Sequence, residues 1–248
     1  MWAWALLPVF LAVWGIVGLW LVFFMAVLNE SVDLNVRFPY ISVCGSYPRQ
    51  SSVFSVVCNG CAFLAVWISV IRYQQVRDLG DKCRYANLAS LVLGLISSAG
   101  VSLLGNFQIT EWFVVHNLSA LLAFCLGLLY FWLQLWLTLR AEPSVDRHWV
   151  APLRAFLCGF ATLFLINMIV LASKGLMSQS AKSEWALVMT YFLLFGLFAA
   201  EFRHVDCFKV TVQIPLVDRF QVTGQKHTAG GKSYGRLIHD STKDSLMV

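Results

Sequence analysis

The stretch "WAWALLPVFLAVWGIVGLWLVFFMAVL", residues 2 to 28, contains no charged residue. A transmembrane helix needs about 20 consecutive apolar residues, so this stretch is long enough to cross a bilayer. It is also longer than the apolar region of a secretory signal and has no basic region before it, which favours a retained helix. Trp2 and Trp4 are typical of an aromatic anchor at the membrane interface.

Five more apolar runs follow the first one. Hydrocarbon offers no partners to backbone polar groups, so each run is expected to form a helix that satisfies them internally. The sequence therefore predicts an all-α polytopic membrane protein, a bundle of six transmembrane helices. The runs cover about 2–28, 53–71, 86–104, 118–139, 150–172 and 185–200.

The composition agrees with a membrane protein and argues against a soluble one. The 248 residues have a mean hydropathy of +0.71, and 12% of them are charged. Soluble domains carry about 25% charged residues, and a soluble core of this length could not enclose so much apolar surface. The basic residues form no clustered face, so nucleic acid is not an expected partner.

The sequence suggests two regions, a transmembrane domain over 1–200 and a flexible cytosolic tail over 201–248. Glycine, serine and charge without apolar periodicity are typical of a disordered tail. Within it, Tyr234 and Leu237 match a tyrosine-based sorting pattern, and Cys207 is a candidate for palmitoylation beside the membrane. The alternative for each of these positions is an exposed tail residue without a specific role.

The basic residues predict the orientation of the bundle. Fourteen of the 18 lie in the connections and tail that share a side with the termini, and four lie on the other side. Cytosolic loops carry the excess of Lys and Arg, so both termini are expected in the cytosol. Asn29, in the sequon Asn29-Glu30-Ser31, then lies on the other side and is a candidate N-glycosylation site.

The sequence contains no recognisable catalytic constellation. Cys58 and Cys61 form a C-x-x-C, but no second ligand pair follows, and the apolar setting does not suit a redox motif. Arg154 and Glu201 lie near predicted helix ends, where snorkelling to the interface is expected. We therefore expect no catalytic residue, no cofactor and no metal.

Several polar residues are predicted to join helices. Asn59, Gln134 and Asn167 are neutral and suit interhelical hydrogen bonds. Four small residues recur every fourth position on the third helix and predict a close-packing face, with a pore lining as the alternative. These four are Ser90, Gly94, Ser98 and Ser102.

The connection after the third run raises two expectations. In "GNFQ", Gly105 is expected to end the helix with a positive φ, and the Asn106 and Gln108 side chains to satisfy freed carbonyls. Phe107 is expected at the interface. His116 is interpreted either as a solvated surface residue or as a group that becomes protonated in an acidic lumen and pairs with Glu111.

Several stretches together resemble the DRAM family, the damage-regulated autophagy modulators and their transmembrane protein 150 relatives. The first third is most similar to the B subgroup of those relatives. The stretches are "LLPVFLAVWGIVGLW" (6–20), "FPYISVCGSYP" (38–48), "IRYQQVRD" (71–78), "GNFQ" (105–108) and "AAEFRH" (199–204). The motif positions singled out in them are Pro39, Tyr40, Ile41, Ser42, Gly45, Gly105, Asn106, Phe107, Gln108, Glu201 and Phe202.

The resemblance implies six helices, cytosolic termini and a non-enzymatic role in autophagic flux and survival under stress. It implies action through membrane lipids, or through membrane or cytosolic proteins contacted by the tail, at the plasma membrane and at endosomal, lysosomal and autophagosomal membranes. Its alternatives are a channel, a mechanosensitive channel subunit or a regulator of plasma-membrane phosphoinositide synthesis. Relatives carry a second loop cysteine where this chain has Ser52, so Cys44 is expected to lack a disulfide partner.

Overall fold

The computed structural model describes residues 3–141, 146–203 and 205. Within these ranges the regular structure is entirely helical. Six helices in this described part of the chain are long and apolar enough to cross a membrane, as predicted from the six apolar runs. These spans, numbered one to six, are Ala3–Leu28, Pro48–Asp78, Arg84–Asn106, Phe113–Arg140, Arg147–Ser173 and Met177–Phe202.

In the described ranges, nine α-helical segments build the spans and one loop. They are α1 (Ala3–Leu28), α2 (Ile41–Cys44), α3 (Pro48–Asp78), α4 (Arg84–Asn106), α5 (Phe113–Leu121), α6 (Gly127–Arg140), α7 (Arg147–Ser173), α8 (Met177–Gly196) and α9 (Phe198–Phe202). The fourth span joins α5 to α6 through a π-helical segment, Leu122–Leu126. The sixth span consists of α8 and α9.

The two ends of the bundle are distinguished by the chain segments that lie there. We call the end at which α1 begins and α9 ends the terminal face. The opposite end, the loop face, contains the connections at residues 29–40, 107–112 and 174–176. Gly175 has a φ of +75° and allows the short turn from α7 to α8.

The second to sixth spans are longer than the apolar runs predict. The second span begins at Pro48 rather than near Val53, and proline suits that first helical position. The sixth begins at Met177 rather than near Trp185. Polar residues in this additional part of α8, Ser180 among them, are buried inside the bundle, so they interrupt the apolar run without interrupting the helix.

The core lies between the spans, and the lipid-facing surface is also apolar. The first span packs against α3, α8 and α9, which agrees with a retained helix. Tyr130, Phe131 and Phe198 are almost completely enclosed. Residues such as Leu6 and Phe10 are exposed on the outside, where hydrocarbon replaces water.

Small residues allow close approach of α4 to its neighbours. A Cβ on Gly94 would lie 2.5 Å from Ser69 Oγ on α3, and one on Gly100 would lie 2.8 Å from the backbone nitrogen of Ala123. Ser98, one turn after Gly94, is buried on the same face of α4 as Gly94. The predicted packing face of the third span is therefore confirmed.

The chain divides into two units, Met1–Cys207 and Phe208–Val248. In the first, α9 continues through Glu201 and Phe202, which are both buried, so the bundle extends past residue 200. The candidate positions Cys207, Tyr234 and Leu237 lie outside the described residues. Their modification and sorting roles stay predictions.

Candidate functional site

Three charged side chains are buried together near the terminal face. Glu201 lies between two arginines: its Oε1 is 2.8 Å from Arg72 Nη2, and its Oε2 is 2.6 Å from Arg154 Nη2. None of the three side chains is more than 3% exposed. The prediction that Arg154 and Glu201 snorkel to the interface is therefore wrong, because they pair with each other inside the bundle.

Neutral groups complete this charge cluster. Gln134 accepts a bond from Arg72 Nε at 3.0 Å and donates to Ser90 Oγ at 2.6 Å. Thr138 lies 3.0 Å from Glu201 Oε1. The cluster joins α3, α4, α6, α7 and α9, and the predicted interhelical role of Gln134 is confirmed.

The charge cluster explains two of the sequence motifs. Arg72 and Gln75 belong to "IRYQQVRD", and Glu201 belongs to "AAEFRH". Gln75 accepts a bond from Arg72 Nη1 at 2.8 Å and donates to the backbone carbonyl of Glu201 at 2.8 Å. The two motifs thus meet and determine where the end of α9 packs against α3.

A second assembly lies at the loop face, where "FPYISV" packs on α8. The Phe38 amide donates to Ser178 Oγ at 3.1 Å. The Pro39 carbonyl accepts a bond from Trp185 Nε1 at 3.1 Å. Backbone groups of the loop bond side chains of α8 in both contacts, so the loop is held in an extended shape against the helix.

Glu184 is the charged residue of this second assembly. It is 7% exposed, and its Oε2 accepts a hydrogen bond from the Ile41 amide at 2.8 Å. No ion pair reaches Glu184 from any basic residue in the described part of the chain. Sequence reasoning missed Glu184 because it precedes the predicted sixth run, although its position just before Trp185 was an available signal.

The remaining motif positions of this loop are packed tightly. Tyr40 Oη lies 3.6 Å from Met177 Sδ, and the Ser42 carbonyl accepts a bond from Ser46 Oγ at 2.7 Å. A Cβ on Gly45 would lie 2.4 Å from the ring of Phe54, so only glycine fits at that position.

Cys44, which ends α2, is a free cysteine and is fully buried. Burial raises the pKa of its thiol to about 12. At neutral pH the thiol is uncharged, and the thiolate is the reactive form. Cys44 is therefore a buried packing residue with no disulfide partner among the described cysteines, as expected from the serine at position 52.

Gly105 does not have the predicted role. It lies inside α4, and the described residues with a positive φ are Glu30, Gly80 and Gly175. A Cβ on Gly105 would lie 2.4 Å from the Cβ of Cys58 on α3. Glycine is needed here because two helices approach closely, and the expected positive φ was wrong.

The Asn106 side chain bonds its own helix, but not a freed carbonyl. Its Nδ2 donates to the Ser102 carbonyl at 2.8 Å, which lies one turn back inside α4, whereas the freed carbonyls follow it. Its Oδ1 accepts bonds from Ser55 Oγ at 2.7 Å and Asn59 Nδ2 at 3.1 Å. Asn59 also accepts a bond from Ser102 Oγ at 2.6 Å, so this polar junction ties α3 to α4.

The other two residues of "GNFQ" shape the turn into α5. The Gln108 backbone carbonyl accepts a bond from the Trp112 amide at 2.9 Å. The rings of Phe107 and Trp112 meet edge to face, with centroids 5.8 Å apart. Gln108 thus bonds through its backbone carbonyl, whereas a side-chain bond was predicted.

His116 is buried, so its interpretation as a solvated surface residue is wrong. Its Nδ1 lies 2.6 Å from the Phe107 carbonyl. A carbonyl only accepts, so Nδ1 carries a proton, and in the neutral ring Nε2 is an acceptor. Glu111 is exposed in the preceding turn, and the alternative Glu111–His116 pair is not among the ion pairs of the described residues.

The fold and these polar assemblies define a six-span helical membrane protein whose buried polar groups join its helices. The sequence profile of the Frag1/DRAM/Sfk1/Cwh43P N-terminal domain matches residues 3–205. The chain therefore belongs to that family. The resemblance based on the five motif stretches is confirmed.

Known relatives match over most of their own length. The chain is 57% identical over 213 residues to a Danio rerio protein, "Modulator of macroautophagy TMEM150B", covering 86% of this chain and 91% of that one. The Homo sapiens protein of the same name is 47% identical, with 86% and 92% covered. "Transmembrane protein 150A" of Xenopus laevis is 31% identical, with 82% and 85% covered. No solved structure matches the chain.

Proposed function

We propose that this chain is a multi-pass membrane modulator of macroautophagy that acts without catalysis, through membrane lipids or protein partners. The observation that carries the proposal is its identity of 57% and 47% to two proteins named as modulators of macroautophagy. The similarity covers the whole bundle rather than one motif. We place its action at the plasma membrane and at endosomal, lysosomal and autophagosomal membranes.

The bonding of the buried polar groups supports a non-enzymatic role. In the charge cluster Glu201 contacts two arginines and Thr138, and in the polar junction Asn59 and Asn106 bond each other. Groups that satisfy one another hold helices together and are poorly placed to act on a substrate.

The first test is autophagic flux in cells that lack the protein. Deletion is expected to change flux, because the named relatives are modulators of this process, and re-expression of the wild type is expected to restore the original flux. Turnover of a lipidated autophagosome marker, with and without a block of lysosomal degradation, measures flux. Asp78→Asn, in an exposed ion pair, is a control that should restore flux as the wild type does.

Unchanged flux after deletion contradicts this function. Two other measurements address the alternatives suggested by the resemblance. Tension-activated current from purified protein in liposomes indicates a channel, and altered phosphoinositide synthesis at the plasma membrane, with normal flux, indicates a regulator of that lipid pathway.

We propose cytosolic termini because 14 of the 18 basic residues lie with them. An epitope tag after Val36, which is 77% exposed on the loop face, is expected to be stained in intact cells that carry the protein at the surface. A C-terminal tag is expected to be stained only after permeabilisation. Staining of the C-terminal tag in intact cells means that the orientation is reversed.

A further inference from the structure

A groove of about 370 Å³ separates the fourth and fifth spans near the loop face. Leu121 and Phe124 line one wall, and Leu165 and Ile169 line the other. Its volume lies within the roughly 300–1,000 Å³ of small-molecule sites. We call it the lateral groove.

The lateral groove opens toward the membrane. Leu121 and Ile169, at its edges, are 55% and 54% exposed on the lipid-facing surface. The two spans pack on each other through α6 and α7, on the terminal side of the groove. A molecule that enters from the side therefore comes from the bilayer, and its chain meets apolar walls.

The polar end of the lateral groove presents acceptors. Glu184 lines it and uses one oxygen to accept the Ile41 amide. His116 lines it too, and because Nδ1 is occupied by the Phe107 carbonyl, its Nε2 is the free acceptor. Ser180 is already used, because its hydroxyl donates to the Met168 carbonyl.

The polar end of the groove contains an acidic side chain and no basic one. No lysine or arginine lines the groove, and Glu184 has no ion-pair partner among the described residues. Acidic groups at membrane depth usually pair with a cation or line a functional path. A phosphate group would find no basic partner here, whereas an ammonium group would find a carboxylate.

We propose that the lateral groove binds a phosphate-free lipid amine, with its chain between the fourth and fifth spans and its ammonium group at Glu184. Such an amine supplies both the missing positive charge and the hydrogen-bond donors that the acceptors require. Binding leaves the Ile41 contact intact, because Glu184 has a second oxygen. The inference goes beyond the proposed function, because binding can be measured without measuring autophagy.

The test uses three photoactivatable, clickable probes that have the same long alkyl chain and differ only at the polar end. One carries a primary amine, one a hydroxyl and one a carboxylate. The full-length protein in nanodiscs is irradiated with each probe, and labelled peptides are identified. The amine probe is expected to label the fourth and fifth spans roughly tenfold more strongly than the carboxylate probe, as for a charge-assisted hydrogen bond.

Two variants and one control make the test specific. Glu184→Gln keeps an acceptor for the Ile41 amide and removes the charge, so labelling by the amine probe should fall to the level of the hydroxyl probe. Ala120→Trp places a large ring in the groove and should reduce labelling by all three probes. Leu163→Trp, on the exposed lipid-facing side of α7, should change none of them.

Equal labelling by the amine and carboxylate probes overturns the proposal. It is also overturned if Glu184→Gln retains the amine preference, or if labelling lies outside the fourth and fifth spans and the part of α8 that carries Ser180 and Glu184. Each variant is first checked for a single, monodisperse species. Glu184→Gln is expected to pass this check, because the glutamine oxygen can still accept the Ile41 amide. Unchanged flux after deletion together with normal amine labelling contradicts the proposed function but not the lipid site. Failure of the groove and failure of the proposed function can therefore be told apart.

Discussion

Replacing Glu201 by Gln is expected to lower the free energy of unfolding by about 3–5 kcal/mol, the cost of breaking a buried ion pair from one side. Glu201 is the only acid that contacts Arg72 and Arg154 among the described ion pairs. The variant leaves two buried positive charges without a counterion, while an amide still fills the space. The cost comes from the unpaired charges and not from a cavity.

Thermal unfolding in detergent, followed by loss of the monodisperse species, measures this effect. Asp78→Asn is the matched control, because its pair with Arg77 is exposed, with side chains 61% and 58% accessible. An exposed pair contributes about 0–1 kcal/mol, so the control should unfold almost as the wild type does. Similar unfolding of Glu201→Gln and Asp78→Asn contradicts the structural role of the charge cluster.

A second substitution tests the pairing itself. Arg72→Gln removes one of the two cations, and combined with Glu201→Gln it should cost less than the two single changes added together. Residues in one network show interaction energies of about 0.5–3 kcal/mol in such cycles. Simple additivity would mean that Arg72 and Glu201 do not act as a unit.

The number of spans could be predicted from the sequence, because crossing hydrocarbon depends on a local property, the length of an apolar run. The charge cluster could not be predicted in this way. Arg72, Arg154 and Glu201 are far apart in the chain, and each alone resembles a residue at a helix end. Only the packing of α3, α7 and α9 determines that these side chains meet inside the bundle.

The loop face shows the same limit. Glu184 lies in a polar stretch that resembles a connection, yet the Ile41 amide accounts for its burial inside a helix. For Asn106 the sequence predicted a side-chain bond to its own helix, and the bond to the Ser102 carbonyl is such a local contact, although that carbonyl is not a freed one. Contacts within a turn or two can be read from sequence, whereas contacts between spans depend on the tertiary arrangement.

Gly105→Ala is the second substitution with a large expected effect. The added Cβ would lie 2.4 Å from Cys58 Cβ, a distance at which one helix has to move. Overpacking of this kind costs about 1–3 kcal/mol. Gly159→Ala is the control, because a Cβ there meets nothing within 4 Å, and alanine in a helix interior is neutral or stabilising by about 0.5–1 kcal/mol.

A change on the opposite helix separates close approach from a loss of backbone freedom at Gly105. Cys58→Gly removes the Cβ that the new methyl group meets, so in combination it should recover part of the stability lost in Gly105→Ala. Cys58→Ala keeps that Cβ and should recover little. Thermal unfolding of the single and double variants gives the interaction energy for each pair. If the two Cys58 variants rescue equally, or neither does, the added methyl group does not collide with the Cys58 Cβ. The glycine of "GNFQ" is then needed for a reason other than the contact between α3 and α4.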